Sequence, residues 1–226
     1  MKALALPADG PLRVLALGAH CDDIELGCGG TLLTLIQARP DTQVAAVTFT
    51  STPQRAAEMR ASMAQLCAPV NPDVRIETLT DTRLPGAFDE VKNILAGLAD
   101  EPWDLVLAPH PNDAHQDHAL LGTLVPTAFR DHLVLHYELA KWDGDLGRLE
   151  PNVYVPLGKQ NLTRRWQVID SCYSSQRSHD WWDPEVFAGL ARLRGMECRS
   201  RYAEAFRAAK LTLSLGPGEN IDQEQA

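Results

Sequence analysis

The alternation of short apolar runs with longer amphipathic stretches is the feature that most limits how this chain can fold. Over the first 130 residues, β-branched and apolar runs at 12–17, 43–49, 74–79 and 105–108 predict strands. The helical stretches between and after them cover 29–38, 54–67, 88–98 and about 117–129, and a fifth strand is expected at 133–139. Strands that alternate with helices form parallel sheets. The pattern predicts an α/β fold: a Rossmann-like doubly wound, mostly parallel sheet of order about 3-2-1-4-5, with helices on both faces.

The second half of the chain has a looser pattern. Residues 142–159 are rich in Gly, Pro, Asp and Asn, which predicts loops around a short strand at 153–155. Helices are expected at 162–175 and 184–194, followed by a short segment near 202–209. Residues 216–226 are expected to be a flexible tail. The length of 226 residues fits one α/β domain over residues 1–226.

Composition excludes several classes of protein. Hydrophobic residues make up 45% and charged residues 23% of the chain, which is ordinary globular usage. A net charge of -9 argues against nucleic acid as a partner, because such binding needs clustered Lys and Arg. The chain has no apolar run of about 18 residues, so no membrane span is expected. A small polar substrate is the partner that fits.

The location of the protein is predicted from its termini and its thiols. The N-terminus is too briefly apolar for a signal peptide, since Pro7 and Asp9 interrupt it. The five cysteines are odd in number, scattered, and never spaced as CxxC, which is typical of reduced thiols. Both observations predict a cytoplasmic protein.

Two short segments, residues 18–23 and 110–118, hold four of the seven histidines together with several carboxylates. Each follows a predicted strand, the first and the fourth. In the sheet order 3-2-1-4-5 these strands are neighbours, and the crevice between their carboxyl ends is where such folds bind ligands. Imidazole and carboxylate side chains together suit a zinc-type ion. The sequence therefore predicts a metal site at this crevice.

Three residues are predicted to hold this metal. His20 closes the loop after the first strand, and Asp23 lies three residues on, near the start of a helix. The third ligand would be His118. Two imidazoles and one carboxylate resemble catalytic zinc sites, in which a fourth position is left for water.

Three further residues are predicted to act in catalysis. Asp22, beside the ligand Asp23, can point at the attacking water and serve as general base. His115 is one helical turn from His118 and could stabilise an oxyanion or protonate a leaving amine. Asp117 would orient one of the histidines through its other ring nitrogen.

Other interpretations of the same residues stay open at this point. A loop Asp after a strand is often a turn former or helix N-cap, and for Asp113 that interpretation is about as good as a functional one. Gly27, Gly29 and Gly30 invite a dinucleotide interpretation, but their spacing is not GxGxxG, so we expect them to let a helix approach the sheet closely. His132, His136 and His179 lie away from both segments and are expected to be surface or core histidines.

At these segments the chain resembles the PIG-L or LmbE-like family of zinc-dependent N-deacetylases. The family motifs AHxDD and HxDH correspond to residues 19–23 and 115–118. Further similarity covers residues 55–58, 173–176 and 201–206, so the resemblance spans nearly the whole chain. One departure is Cys21, where the family usually has proline.

The resemblance implies a Rossmann-like domain that hydrolyses an acetamide on a sugar. Zinc would be held by the residues matching His20, Asp23 and His118. Asp22 would be the base, and His115 the electrophilic or acid histidine. Arg55 would contact the substrate; the alternative for it is a solvated pair with Glu58.

The main hypothesis from the sequence is a metal-dependent hydrolase that removes an N-acetyl group from an amino sugar or glycoconjugate precursor. The alternatives are a non-sugar amidase or phosphoesterase on the same zinc ion, or a nucleotide-binding module with a structural metal. Specificity is expected in rim loops such as 144–158, which carry no readable code. A homo-oligomer is possible, with the pair Trp181 and Trp182 as either an exposed aromatic contact or plain helix-packing core.

Overall fold

The computed structural model describes residue 6 and residues 10–140, 149–208 and 210–212. Within these, seven strands form one sheet of order β3-β2-β1-β4-β5-β7-β6. The strands are β1 Arg13–Gly18, β2 Gln43–Thr50, β3 Asp73–Leu79, β4 Leu105–Pro109, β5 Val134–Tyr137, β6 Val153–Leu157 and β7 Tyr202–Ala208. The predicted order 3-2-1-4-5 is confirmed.

The first five strands are parallel, and the last two extend the sheet in antiparallel fashion. β1 pairs in parallel with both β2 and β4, so the crevice predicted between β1 and β4 exists. β7 pairs antiparallel with β5 on one side and β6 on the other. The segment near 202–209 therefore belongs to the sheet, which the sequence pattern did not establish.

Six helices connect these strands within the described ranges. They are α1 Asp23–Ala38, α2 Pro53–Leu66, α3 Phe88–Ala99, α4 Gln116–Ala128, α5 Lys159–Cys172 and α6 Pro184–Glu197. A short 3-10 helix, Leu84–Ala87, precedes α3. In the described part of the chain, no helix is long and apolar enough to cross a membrane.

Helices cover both faces of the sheet, as predicted. Alternate residues of β1 belong to two separate cores: Val14 and Ala16 pack with α1, α2 and α5, whereas Leu15 and Leu17 pack with α3 and α4. This division follows from strand geometry, since successive side chains point to opposite faces. A central strand that is buried on both sides is typical of a parallel sheet.

Helix α1 begins six residues earlier than the predicted residue 29. Its glycines were expected to mark its start, but they lie inside it, where close packing requires them. A Cβ on Gly27 would lie 2.2 Å from the ring of Tyr137, and one on Gly30 would lie 2.7 Å from Glu204 Oε1. The predicted close approach of this helix to the sheet is thus confirmed, through side chains of β5 and β7.

Two predicted segments fall wholly or partly outside the described residues. The flexible tail at 216–226 lies beyond the last described residue, 212. Of the rim loop at 144–158, only residues 149–158 are described.

Candidate metal and catalytic site

The turn after β1 places two carboxylates and one imidazole within six residues. The backbone N–H groups of Asp22 and Asp23 both donate to the His20 carbonyl, at 3.0 and 3.3 Å. The Asp23 carboxylate accepts in return from the His20 backbone N–H at 2.8 Å. The backbone N–H of Thr50, at the end of β2, donates to the Ala19 carbonyl and ties the turn to the sheet. Helix α1 starts directly at Asp23, so the position of the Asp23 carboxylate is fixed by backbone geometry.

The second segment reaches the same crevice through the start of α4. His115 is the N-cap residue of this helix, and its ring Nδ1 accepts from the Asp117 backbone N–H at 3.2 Å. His118 lies in the first turn, so its ring and that of His115 are neighbours, with centroids 4.8 Å apart. The His20 ring, from the other segment, lies 4.6 Å from His115 and 4.9 Å from His118. Two segments almost one hundred residues apart thus meet as expected.

Three donor atoms converge at the centre of this site. His20 Nδ1 lies 3.0 Å from His118 Nε2 and 3.3 Å from Asp23 Oδ2, and the last two atoms are 3.1 Å apart. An ion about 2.0–2.2 Å from each atom fits such a triangle. The donor set therefore suits a zinc-type ion. His115 has a ligand atom within 4.8 Å of those of His20 and His118, but the triangle that includes Asp23 is tighter.

Further carboxylates lie behind the two converging histidines. Asp113 Oδ1 is 3.0 Å from His118 Nδ1, on the side of the ring away from the triangle. His20 Nε2 faces Asp81 Oδ1 at 3.1 Å and Asp117 Oδ2 at 3.4 Å. Carboxylates placed on the far nitrogen of a ligating histidine fix its orientation and raise its basicity. Asp117 thus contacts His20, which the sequence could not decide.

The same carboxylates set the protonation of the two histidines in the metal-free chain. Burial alone would lower the pKa of His20, but Asp23, Asp117 and Asp81 raise it well above 6.5. Burial also opposes protonation of His118, and Asp23 with Asp113 raises its pKa. In the metal-free chain, these carboxylates therefore favour the protonated, positively charged form of each ring.

His115 is in the opposite electrostatic situation. Burial and the positive charges of His20 and His118 lower the pKa of His115 to about 4. Because Nδ1 accepts the hydrogen bond from the Asp117 backbone, the neutral ring carries its proton on Nε2. The structure therefore favours a neutral His115 that donates through Nε2.

Asp22 is held by an arginine from helix α2. Asp22 is only 1% exposed, and its Oδ2 lies 3.0 Å from a terminal nitrogen of Arg55. The same arginine donates to the Cys21 carbonyl and lies over the ring of Tyr173 at 5.1 Å. Although burial disfavours the guanidinium charge, Asp22 raises the pKa of Arg55. Glu58, the alternative partner of Arg55, accepts hydrogen bonds from Ser174 and Ser175.

Cys21, the departure from the family motif, is a buried thiol. Its Sγ lies 3.6 Å from the Thr50 carbonyl oxygen, and burial raises the pKa of the thiol to about 12. A thiolate at the metal is therefore not favoured at neutral pH. All five cysteines are free, as the sequence predicts.

A pocket of about 380 Å³ opens from this site. His20, Asp22, Arg55, His115 and His118 all line it. Its other described lining residues are Cys21, Thr50, Ser51, Thr52, Asp81, Thr82, Gln176, His179 and Trp181. Of the seven predicted site residues, five line this pocket, and a sixth, Asp23, belongs to the triangle of donor atoms. The seventh, Asp117, contacts His20.

Sequence reasoning did not place Asp81, His179 or Trp181 in this site and left Asp113 undecided. Asp81 follows β3 by two residues, so its position at a strand end was a usable signal. Asp113 is both a turn former, accepting from the His115 backbone N–H at 2.8 Å, and the partner of His118. No sequence signal could have placed His179 and Trp181 in the pocket, because the segment after α5 has no strand or helix pattern. His110 belongs to the framework of the loop after β4, since its Nδ1 accepts from the Asn112 backbone N–H.

Several solved structures are similar to this one. The conserved protein TT1542 from Thermus thermophilus superimposes with a TM-score of 0.73 at 20% identity, covering 92% of this chain and 99% of that one. N,N'-diacetylchitobiose deacetylase from Pyrococcus horikoshii gives 0.64 at 22%, covering 86% and 82%. GalB, the 4-carboxy-2-hydroxymuconate hydratase from Pseudomonas putida KT2440, gives 0.69 at 15%, covering 92% and 100%. Identities this low show a shared fold alone.

The sequence of the first half matches a known family more specifically. The family model for PIG-L, described as GlcNAc-PI de-N-acetylase, matches residues 15–129, slightly more than half of the chain. That range includes both His/Asp segments and Arg55. Because this model matches more than half of the sequence, the chain belongs to the PIG-L family.

Proposed function

We propose that the chain is a metal-dependent N-deacetylase that removes an acetyl group from an amino sugar or a glycoconjugate precursor, with His20, Asp23 and His118 as zinc ligands. The observation that carries the proposal is the convergence of these three donor atoms within 3.0–3.3 Å, beside Asp22 in an open pocket. Membership of a family described as a de-N-acetylase supports the reaction type. The Pyrococcus deacetylase supports a sugar substrate by fold analogy only.

Asp22 acts as general base in this proposal. When bound, a zinc-type ion polarises the amide carbonyl and makes a nearby water more acidic. Asp22 takes a proton from the water as the oxygen adds to the carbonyl carbon. The carbon–nitrogen bond then breaks, and the proton passes from Asp22 to the departing nitrogen, giving acetate and a free amine. Arg55 keeps Asp22 in place through the 3.0 Å contact and lines the pocket as a substrate-binding residue.

His115 stabilises the oxyanion as a neutral donor. The sequence suggested a protonated histidine here, but the lowered pKa and the hydrogen bond that Nδ1 accepts both favour the neutral ring. Its Nε2–H can donate to the developing oxyanion without a full positive charge beside the metal. Asp117 acts one step further back, by orienting His20.

The rival functions differ in what they require of the site. A structural zinc would be four-coordinate and closed, whereas here the ligand triangle borders a pocket. The similarity to GalB shows that the fold also occurs in a hydratase, so the reaction must be measured and not assumed from the fold.

The test is release of acetate by the zinc-reconstituted protein from a panel of N-acetyl sugars, with an acyclic acetamide and a phosphate monoester included. Acetate from the sugars is expected only after metal is restored to chelator-treated protein. Absence of any bound metal, together with no activity on added zinc, would overturn the proposal. Release of phosphate in place of acetate would favour the phosphoesterase alternative.

The role of Asp22 is tested with Asp22→Asn. General acid–base catalysis contributes roughly 100-fold to 10,000-fold, so kcat should fall by at least about 100-fold while zinc content stays unchanged. Asp104→Asn is the matched control, since Asp104 lies at the opposite end of β4, where its carboxylate accepts from the Arg13 backbone N–H. Wild-type turnover in Asp22→Asn would refute the base role.

A further inference from the structure

The segment between α5 and α6 brings a stacked pair of aromatic rings to the pocket. The rings of His179 and Trp181 are nearly parallel, with an interplanar angle of 10° and centroids 5.7 Å apart. Both residues line the pocket that contains His20, His115 and His118. His179 is exposed, whereas Trp181 is partly buried and packs against the core beside Phe187, with ring centroids 6.5 Å apart. The pair therefore lies at the edge of the pocket.

The neighbouring tryptophan has a different task. The Trp182 ring lies 5.4 Å from Trp166 and 6.3 Å from Tyr173, and its Nε1–H donates to Asp170 at 3.1 Å. Trp182 therefore packs into the aromatic cluster beneath the rim. The Trp181 ring meets the Trp182 ring at 5.3 Å with an angle of 63°, in an edge-to-face arrangement. Both tryptophans, which the sequence left as a contact surface or core, thus pack against the core, and Trp181 also lines the pocket.

Hydrogen bonds hold the rim segment in its folded shape. The backbone N–H of His179 donates to Gln176, and that of Asp183 donates to Trp181, at 3.1 and 2.9 Å. At the start of the segment, the Glu58 carboxylate accepts from the backbone and the hydroxyl of Ser175. The aromatic pair is therefore placed by a network anchored on α2, the helix that also carries Arg55.

Several residues with polar side chains also line the pocket. Hydroxyl, amide and carboxylate groups come from Thr50, Ser51, Thr52, Asp81, Thr82 and Gln176. An aromatic side chain among hydrogen-bonding groups matches the chemistry of a pyranose ring, which has an apolar C–H face and hydroxyls around its edge. A small acyclic acetamide has no such face, so it would gain nothing from the ring pair.

We propose that Trp181, backed by His179, forms a stacking subsite for a pyranose ring, so that the pocket selects cyclic sugars over acyclic acetamides. The predicted effect on catalysis rests on the proposed deacetylase function, whereas the predicted binding of a pyranose ring does not. Trp181 acts on substrate binding and takes no part in proton transfer.

The first experiment compares kcat/KM for methyl N-acetyl-β-D-glucosaminide with that for N-acetylethanolamine, an acyclic acetamide. Trp181→Ala should lower kcat/KM for the sugar roughly tenfold, mainly through KM, and leave the acyclic substrate unchanged. Trp181→Phe should recover most of the loss, because it keeps an aromatic face. Trp166→Phe is the matched control: it alters the cluster beneath the rim without lining the pocket. Equal losses on both substrates, or none on the sugar, would overturn the proposal.

The second experiment needs no catalysis. Saturation-transfer NMR with methyl β-D-glucopyranoside, which carries no acetamide, should show transfer to the sugar ring protons with wild type and with Trp166→Phe. Trp181→Ala should lose most of this transfer. If wild type releases no acetate yet shows the Trp181-dependent transfer, the deacetylase proposal fails and the subsite stands. If wild type deacetylates but shows no ring transfer, or if Trp181→Ala keeps it, the subsite is refuted.

Discussion

Substitution of Asp113 by Asn should weaken zinc binding although it replaces none of the proposed zinc ligands. Asp113 Oδ1 lies 3.0 Å from His118 Nδ1, and its side chain is only 12% exposed. Asn keeps an oxygen that can accept from the His115 backbone N–H, so the turn should persist, but the negative charge behind His118 is lost. Because Oδ1 makes both contacts and Asn retains this oxygen, the variant tests the effect of the charge alone.

Two typical values give the expected loss of zinc affinity. A hydrogen bond to a charged group contributes roughly 1.5–3 kcal/mol and a neutral one about 0.5–1.5 kcal/mol, so loss of the charge should cost up to about 1.5 kcal/mol, or roughly tenfold in an equilibrium constant. Loss of a carboxylate behind a metal-bound histidine typically costs about 10-fold to 100-fold in affinity. Both are consistent with a Kd for zinc that rises about tenfold.

The assay is competition for zinc between the protein and a chromophoric chelator at fixed pH. Asp104→Asn is again the control, because it removes a similar carboxylate from the far end of β4 and should bind zinc as wild type does. The melting temperature of each metal-free variant shows whether the turn has survived. A folded Asp113→Asn that binds zinc within twofold of wild type would refute the argument.

Three other outcomes follow from the structure. Apparent zinc affinity should fall as the pH is lowered towards 6.5, because the pKa values of His20 and His118 are raised and protons compete with the metal at a higher pH than for an ordinary imidazole. Zinc titrations at several pH values measure this. A loss of affinity that begins only below pH 6.5 would contradict it. Gly122→Ala should destabilise the fold by about 1–3 kcal/mol in denaturant titration, since its Cβ would lie 2.6 Å from backbone of the loop after β4; an unchanged midpoint would show that this loop can yield. Arg165→Met should cost about 3–5 kcal/mol by the same measurement, because it leaves the buried Glu204 without its partner at 2.7 Å; a neutral result would mean that backbone donors alone satisfy Glu204.

The raised pKa values of His20 and His118 also affect the stability of the metal-free chain. The pKa values of the two histidines are raised in the folded, metal-free chain, so their contribution to stability is full below the unfolded value of about 6.5 and is lost as the pH rises through the folded values. Metal-free protein should therefore become less stable as the pH rises through that range. Bound zinc should reverse this trend, because its ligands must be deprotonated.

Much of the architecture could be predicted because the period of the hydrophobic pattern is set locally. Runs such as residues 12–17 and 105–108 must be buried strands, and their order brings His20 and His118 together. The start of α1 could not be predicted in this way. Its glycines weaken a helix locally, and only the rings and carboxylates of β5 and β7 explain why the helix tolerates them.

The chemistry of the site was likewise determined partly by local sequence and partly by tertiary contacts. By itself the sequence determined which residue types were available and where the strands end, and so it predicted His20, Asp22, Asp23, His115 and His118 as one group. Only the tertiary structure decided which nitrogen faces which carboxylate, which neighbours lower the pKa of His115, and that Trp181 lines the pocket whereas Trp182 does not. The physical reason is that burial, charge and ring orientation depend on neighbours that are distant in the chain, and no local pattern records them.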